Sequence, residues 1–227
     1  LSNWSLKYSP NSRIEFRNLY NRLGSTQTTI REGVNNFRDS YYKNYSYRYI
    51  ERSIYSGQLE GKHNLNGEKS KLNWLVGYTS AQRNEPDWKR LVTSRPKNAA
   101  EGTAFTVAVP SSTSASNAAR FYQELSEYSV TNRLDYDLKI ENGNTAGPIE
   151  FKAGYWLEYK SRDFNARQIG HIARDGYDQS IANLPFDQIF DTNNVAFNGG
   201  HIISENTNNR DSYSASNTLA AVYTSFN

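Results

Sequence analysis

Residues 127–140 read EYSVTNRLDYDLKI, and the alternation within them decides the fold. Even positions carry Tyr128, Val130, Asn132, Leu134, Tyr136, Leu138 and Ile140, while odd positions carry Glu127, Ser129, Thr131, Arg133, Asp135, Asp137 and Lys139. Asn132 alone breaks the apolar set. A period of two puts successive side chains on opposite faces of a strand, so this segment predicts a strand with one apolar and one charged face. Residues 149–159, IEFKAGYWLEY, repeat the pattern with Ile149, Phe151, Ala153, Tyr155, Leu157 and Tyr159 on one side. There Trp156 is the exception among Glu150, Lys152, Gly154 and Glu158. Working outward, Leu72, Trp74, Val76 and Tyr78 alternate with Lys71, Asn73, Leu75 and Gly77, and Ile14, Phe16 and Tyr20 alternate with Arg13, Glu15, Arg17 and Asn21.

Turn chemistry sets the pairing. Ser9-Pro10-Asn11-Ser12, Asn64-Leu65-Asn66-Gly67-Glu68 and Glu141-Asn142-Gly143-Asn144 each supply Pro, Asn or Gly where a tight reversal needs special backbone angles. They predict three hairpins, joining residues 4–8 to 13–24, 45–63 to 71–83, and the strand of Tyr128 to that of Ile149. A final, less regular strand is expected near residues 213–226. Between hairpins the connections look long, about 20 residues after Gly24, about 35 after Arg83 and nearly 50 after Arg162, against a usual median of roughly 4–6. Short and long connections therefore alternate. In an up-and-down meander this places tight turns on one edge and long loops on the other, the layout of outer-membrane barrels. Residues 45–63 are also far longer than the usual globular strand of about 3–10 residues. The fold expected is all-β: an antiparallel up-and-down meander of about seven long strands, forming a partial transmembrane β-barrel.

Composition agrees. The chain has 227 residues, with 26 basic and 23 acidic side chains and a formal charge of +3. That balance argues against a nucleic-acid partner, which calls for clustered Lys and Arg. There is no Cys, which removes disulfides, thiolate metal sites and thiol nucleophiles. Mean hydropathy is −0.81, and no window approaches the roughly 18 apolar residues of a membrane helix. Yet 17 Tyr and 10 Phe are more aromatic content than a disordered chain carries. The chain opens Leu1-Ser2-Asn3, with no Met and no apolar leader, and is expected to be an internal or processed piece.

Tyr41, Tyr42, Tyr45, Tyr47 and Tyr49 crowd the loop end of one strand, as in an aromatic girdle at a membrane interface or a cross-strand ladder on a soluble sheet. Arg48, Arg52, Glu60, Lys62, Arg133, Asp135, Asp137, Glu150, Lys152 and Glu158 fall on the opposite, charged face, which in a barrel lines the interior. The serine run of residues 111–116 is expected at a loop tip. His63, His171 and His201 show no metal-ligand spacing, and His201 follows Gly199-Gly200 in an expected loop. No nucleophile elbow or phosphate-binding glycine loop is present, so neither an enzyme nor a cofactor is expected.

Residues 78–90, running from Tyr78 through Arg83 into Asn84-Glu85-Pro86-Asp87, resemble a strand-to-loop segment of TonB-dependent outer-membrane receptors. Residues 211–223, with Tyr213, Ser214, Ala215, Leu219, Val222 and Tyr223, look like another such strand after a long external loop. The style is similar to receptors of Bacteroidota. The family has a barrel of about 22 strands around a plug. Residues 1–227 would then be an internal slice of the barrel, without plug or TonB box. The resemblance implies energised uptake, in the bacterial outer membrane, of a small-molecule or oligosaccharide ligand such as a siderophore, a cobalamin-like cofactor, an oligosaccharide or a peptide. It also implies contact with outer-membrane lipid, and with the TonB complex through the plug region. Ligand-facing positions are expected in the long loops: Asp87, Trp88, Arg90, Phe186, Phe190 and His201, the rings for stacking and the charges for oriented polar contacts. Two other readings compete: a soluble carbohydrate-binding β-sandwich module, and a small complete outer-membrane barrel such as an adhesin or porin.

Overall fold

The computed structural model describes residues 1–67, 69–141 and 148–226. Its nine strands form one sheet. In chain order they are β1 (Ser2–Ser9), β2 (Ser12–Asn35), β3 (Ser40–Leu65), β4 (Ser70–Pro96), β5 (Thr106–Val107), β6 (Ala119–Ile140), β7 (Ile149–Ala173), β8 (His201–Glu205) and β9 (Tyr213–Phe226). All pairings between them are antiparallel. The seven longer strands lie side by side in chain order as an up-and-down meander, which is not closed into a barrel. Two short strands extend it: β5 beside the end of β4, and β8 on the edge of β7 beyond β9.

Register puts the alternation to use. Leu134 lies between Trp74 and Tyr155, and Val130 between Tyr78 and Tyr159, so the apolar rows of β4, β6 and β7 align on one face. Phe16, Leu59 and Val76 continue that face across β2, β3 and β4. The aromatic rings touch across strands, with centroids 6.3 Å apart for Tyr55–Tyr78 and 6.1 Å for Tyr128–Tyr159. Asn132, the polar intruder, accepts a hydrogen bond of 2.6 Å from the Tyr155 hydroxyl, which satisfies it within an apolar row. The opposite face is a ladder of ion pairs, among them Arg133–Asp135 at 2.5 Å, Lys139–Glu150 at 3.1 Å and Lys62–Glu60 at 3.2 Å. Where both partners reach solvent, as in Lys139–Glu150, such a pair contributes about 0–1 kcal/mol, so these pairs keep the face wetted rather than hold the sheet together.

The expected turns at residues 9–12 and 64–67 are present. Asn66 and Gly67 both take positive φ, 50° and 63°, the backbone that favours Asn-Gly in hairpins. Glu68 and Asn142, Gly143 and Asn144 lie outside the described residues.

The strands run further than their alternation. β2 pairs with β3 without interruption from Ser12↔His63 to Asn35↔Ser40, so the connection expected after Gly24 contracts to residues 36–39. β4 continues past Arg83 to Pro96, and β7 past Arg162 to Ala173. The reason is visible in residues 25–33, STQTTIREG, where Ile30 is the one large apolar side chain. Thr suits a pleated strand but leaves no two-sided contrast to read. The connections that remain long are residues 97–118 and 174–212, both at the end of the sheet away from the short turns.

That far end holds the apolar core. Leu91, Val107, Ala118, Ile181 and Ile189 form its buried cluster, with Tyr45, Tyr177, Leu184 and Phe190 packed against it. The 3-10 turn Gln179–Asn183 and the one-turn helix α1 (Phe186–Ile189) supply its lid, and Ile189 has no exposed surface. Tyr45 meets Phe186 edge-on at 5.0 Å, so this tyrosine of the expected girdle is covered by protein. The serine run lies in the loop of residues 97–118 as expected, with Ser111, Ser112 and Ala115 exposed, and part of it rests on the sheet. Arg90 donates to the carbonyl of Ala115 at 2.9 Å, and a Cβ on Gly170 of β7 would meet Thr113 at 2.9 Å.

Candidate functional site

β4 carries one extra residue near its middle. Its register shifts against β6 between Glu85 and Trp88, and against β3 between Tyr47 and Glu51. Pro86 sits in this bulge, where a residue with no N–H to donate is tolerated inside a sheet. The bulge divides the expected ligand residues between the two faces. Trp88 and Arg90 fall on the charged face, where the Trp88 indole donates to Ser46 Oγ at 2.8 Å and packs on Phe121 at 5.2 Å. The guanidiniums of Arg48 and Arg90 lie over the same indole, 4.7 and 5.2 Å from its centroid. Beneath them Glu85, with 0% exposure, accepts from Arg48 at 2.5 and 3.0 Å and from Arg83 at 2.8 Å.

Asp87 belongs to the other face. It accepts a two-pronged bond from Arg120, at 2.8 and 2.6 Å, and pairs with Lys89 at 3.3 Å. Burial pushes its carboxyl up, but the Arg120 hydrogen bonds and charge outweigh this and leave it below its ordinary value. Asp87, Trp88 and Arg90 are therefore strand residues, not loop residues as expected. The dense run of residues 84–90 extends a strand that its sequence reads as ended, because the bulge interrupts the period of two.

Phe186 opens α1 and Phe190 caps its C-terminus. Both line a cavity of about 320 Å³ on the apolar face, together with Tyr47, Arg90, Arg120 and His171. His201, expected in a loop, lies in a strand. It begins β8 with 0% exposure, its ring 4.7 Å from His171 and 5.6 Å from Phe190. Both ring nitrogens of His201 and Nδ1 of His171 are buried without a hydrogen-bond partner. Burial, then the His201 and Arg120 charges, pushes His171 down to about 4, and burial alone lowers His201. The histidine pair was invisible in the sequence because β7–β8 pairing creates it: Ala173 faces His201, and no local motif links positions so far apart. Among the described residues, no three His, Cys, Asp or Glu side chains converge as a metal centre.

The charged face has its own recess at the same end. Two cavities, of about 300 and 650 Å³, share Arg31, Asn44, Val92 and Ser116 in their walls. Arg48, Trp88 and Arg90 wall the smaller one, and Arg38 and Asn117 the larger. Neither is lined by an Asp or Glu. The six expected residues are thus distributed, not gathered: Phe186 and Phe190 on one face, Trp88 on the other, Arg90 bordering both. Asp87 braces Arg120, and His201 backs His171. Sequence reasoning missed Arg31 and Asn44, which lie where β2 and β3 were read as connection, and Arg38, in the short turn between those strands. The arrangement offers stacking surfaces and fixed cations, which suit binding. No protein-family model, curated protein or solved structure matches the chain.

Proposed function

We propose that the chain is part of a TonB-dependent outer-membrane receptor, which crosses the bacterial outer membrane with the turn-side half of its sheet and captures a ligand with the other half. One observation carries this reading: the sheet has a core at only one end. Among the described residues, every buried apolar side chain lies at the far end of the sheet or in its lid. On the turn side, Trp4, Leu6, Val76, Tyr78, Val130, Leu157 and Val222 form an unpartnered apolar face, with Val76 45% and Val222 85% exposed. A water-soluble sandwich would cover such a face with a second sheet. A bilayer covers it with lipid.

Length supports the same division. β4, with 27 residues, extends about 90 Å at roughly 3.3–3.4 Å per residue. An outer-membrane barrel needs an apolar band only about 25 Å tall. The remainder of β2, β3, β4, β6 and β7 would stand beyond the membrane, where the lid, the bulge and both recesses are found. Both free edges of the sheet would pair with further strands, since open edges are not tolerated in lipid. In this role the chain binds and transports and is not an enzyme. Its partners are outer-membrane lipid, a small-molecule or oligosaccharide ligand, and, through a plug region, the TonB complex.

Fractionation of cells expressing the complete gene product tests the proposal. Recovery with the outer membrane and release only by detergent is expected. Recovery in a soluble fraction without detergent overturns it.

A further inference from the structure

The two recesses at the far end differ in charge, and the difference names a ligand. On the apolar face Asp87 compensates two of the three cations, holding Arg120 with two bonds and Lys89 with a third contact, and only the shared Arg90 is left. On the charged face the balance differs. Four arginines, Arg31, Arg38, Arg48 and Arg90, wall the paired cavities, and no carboxylate lines them. Glu85 lies beneath, wholly buried and already shared between Arg48 and Arg83. Among the described residues, Arg31, Arg38 and Arg90 make no ion pair.

Two of these cations are oriented without being neutralised. Arg31 lies over the Tyr42 ring at 5.8 Å. Arg90 lies over Trp88 at 5.2 Å and donates to the Ala115 carbonyl. A guanidinium steadied by an aromatic face keeps donors free for a planar oxyanion, which it binds with two parallel hydrogen bonds. The uncharged polar part of the wall is amide and hydroxyl, among them Gln27, Asn35, Asn44, Ser46, Ser116 and Asn117, beside apolar Val34, Leu91 and Val92. Asn44 lines both cavities, and its Oδ1 is buried with no hydrogen-bond partner, an acceptor waiting for a donor. Carboxylate-matching cations beside hydroxyl-matching amides describe one chemical class.

We propose that this recess binds an acidic carbohydrate, its carboxylates on Arg31 and Arg90 and a hydroxyl donating to Asn44. The inference rests on the receptor reading above and narrows its ligand.

The test is calorimetric titration of the full chain with tri-galacturonic acid as probe, maltotriose as its neutral counterpart and inorganic phosphate as a bare oxyanion. Tri-galacturonate is expected to bind, with affinity falling at least about tenfold in an Arg31→Gln/Arg90→Gln double variant and weakening with salt. The Arg31→Lys/Arg90→Lys variant is expected to retain intermediate affinity, and Arg52→Gln, on the same face but outside the cavities, wild-type affinity. Circular dichroism of each variant checks that the sheet is intact. Equal binding of maltotriose, equal binding of phosphate, unchanged affinity in the glutamine variant, or no binding at all overturns the proposal. A chain that fractionates with the outer membrane but ignores tri-galacturonate refutes the acidic sugar and leaves the receptor reading standing. A chain found soluble refutes the receptor reading whatever it binds.

Discussion

His171 and His201 face each other with three ring nitrogens unpaired, an arrangement tolerable only while both rings are neutral. Around His171 stand Arg120 from β6, His201 from β8 and Phe190 from the end of α1, and the one charge among them is positive. In the fold His171 titrates at about 4, while in an opened segment it returns to 6.5. The sign follows: between these values the opened state binds a proton that the closed state refuses, so closure is fully stable above pH 6.5 and weakens as pH falls towards 4. The opening constant of the β7–β8 contact should rise by up to about tenfold per pH unit in this window. Hydrogen exchange at the His171 amide, which donates to the Ala118 carbonyl at 3.0 Å, reads it once corrected for intrinsic rate. His171→Phe should flatten the dependence, and an unchanged slope in that variant would show that His171 is not the cause. At this scale the sequence was least legible. Trp88, Arg90, Phe186 and Phe190 could be nominated by chemistry, but nothing in residues 165–205 announced that two histidines meet.

Strands were legible in proportion to the contrast between their faces. Residues 127–140 and 149–159 could be read residue by residue, whereas residues 25–33 and 84–96 could not, the first for want of apolar partners and the second because of the bulge. The bulge makes a testable distinction within β4. Because one residue is extra there, deleting Pro86 should restore regular pairing and leave Asp87, Trp88 and Arg90 on their present faces. Deleting Ser80, six positions earlier in a stretch paired without interruption, should instead transfer residues 81–85, the buried Glu85 among them, to the opposite face before the extra residue at Pro86 absorbs the change, or force a break in the pairing. The first deletion is expected to change the thermal midpoint by no more than a few degrees and the second to prevent folding, as judged by circular dichroism melting in detergent. Equal damage from both would mean that the extra residue at Pro86 is required by the fold.

For the whole molecule, the alternation foretold a meander with one apolar and one charged face, and the sheet has both. What the alternation could not tell is where the core would sit. That depends on the lid of residues 174–200, whose short 3-10 and α turns carry no period long enough to read. The location matters because it separates water from lipid as the solvent of the turn-side face. Val76 is the discriminating position. It lies six residues above the start of β4, which in the proposed receptor would put it about 14 Å along the membrane normal for a strand tilted by roughly 45°, close to the midplane of the hydrocarbon. In water, Val76→Arg on a face already 45% exposed should cost less than about 0.5 kcal/mol. In lipid the same change should cost about 2–4 kcal/mol. Thr79→Arg, on the charged face, should be nearly neutral in either solvent and controls for the strand's tolerance of the side chain. Denaturant titrations of the full chain in lipid vesicles, with the three sequences side by side, should therefore show the penalty at Val76 alone. A penalty of the same small size at both positions would remove the bilayer from the account of this face.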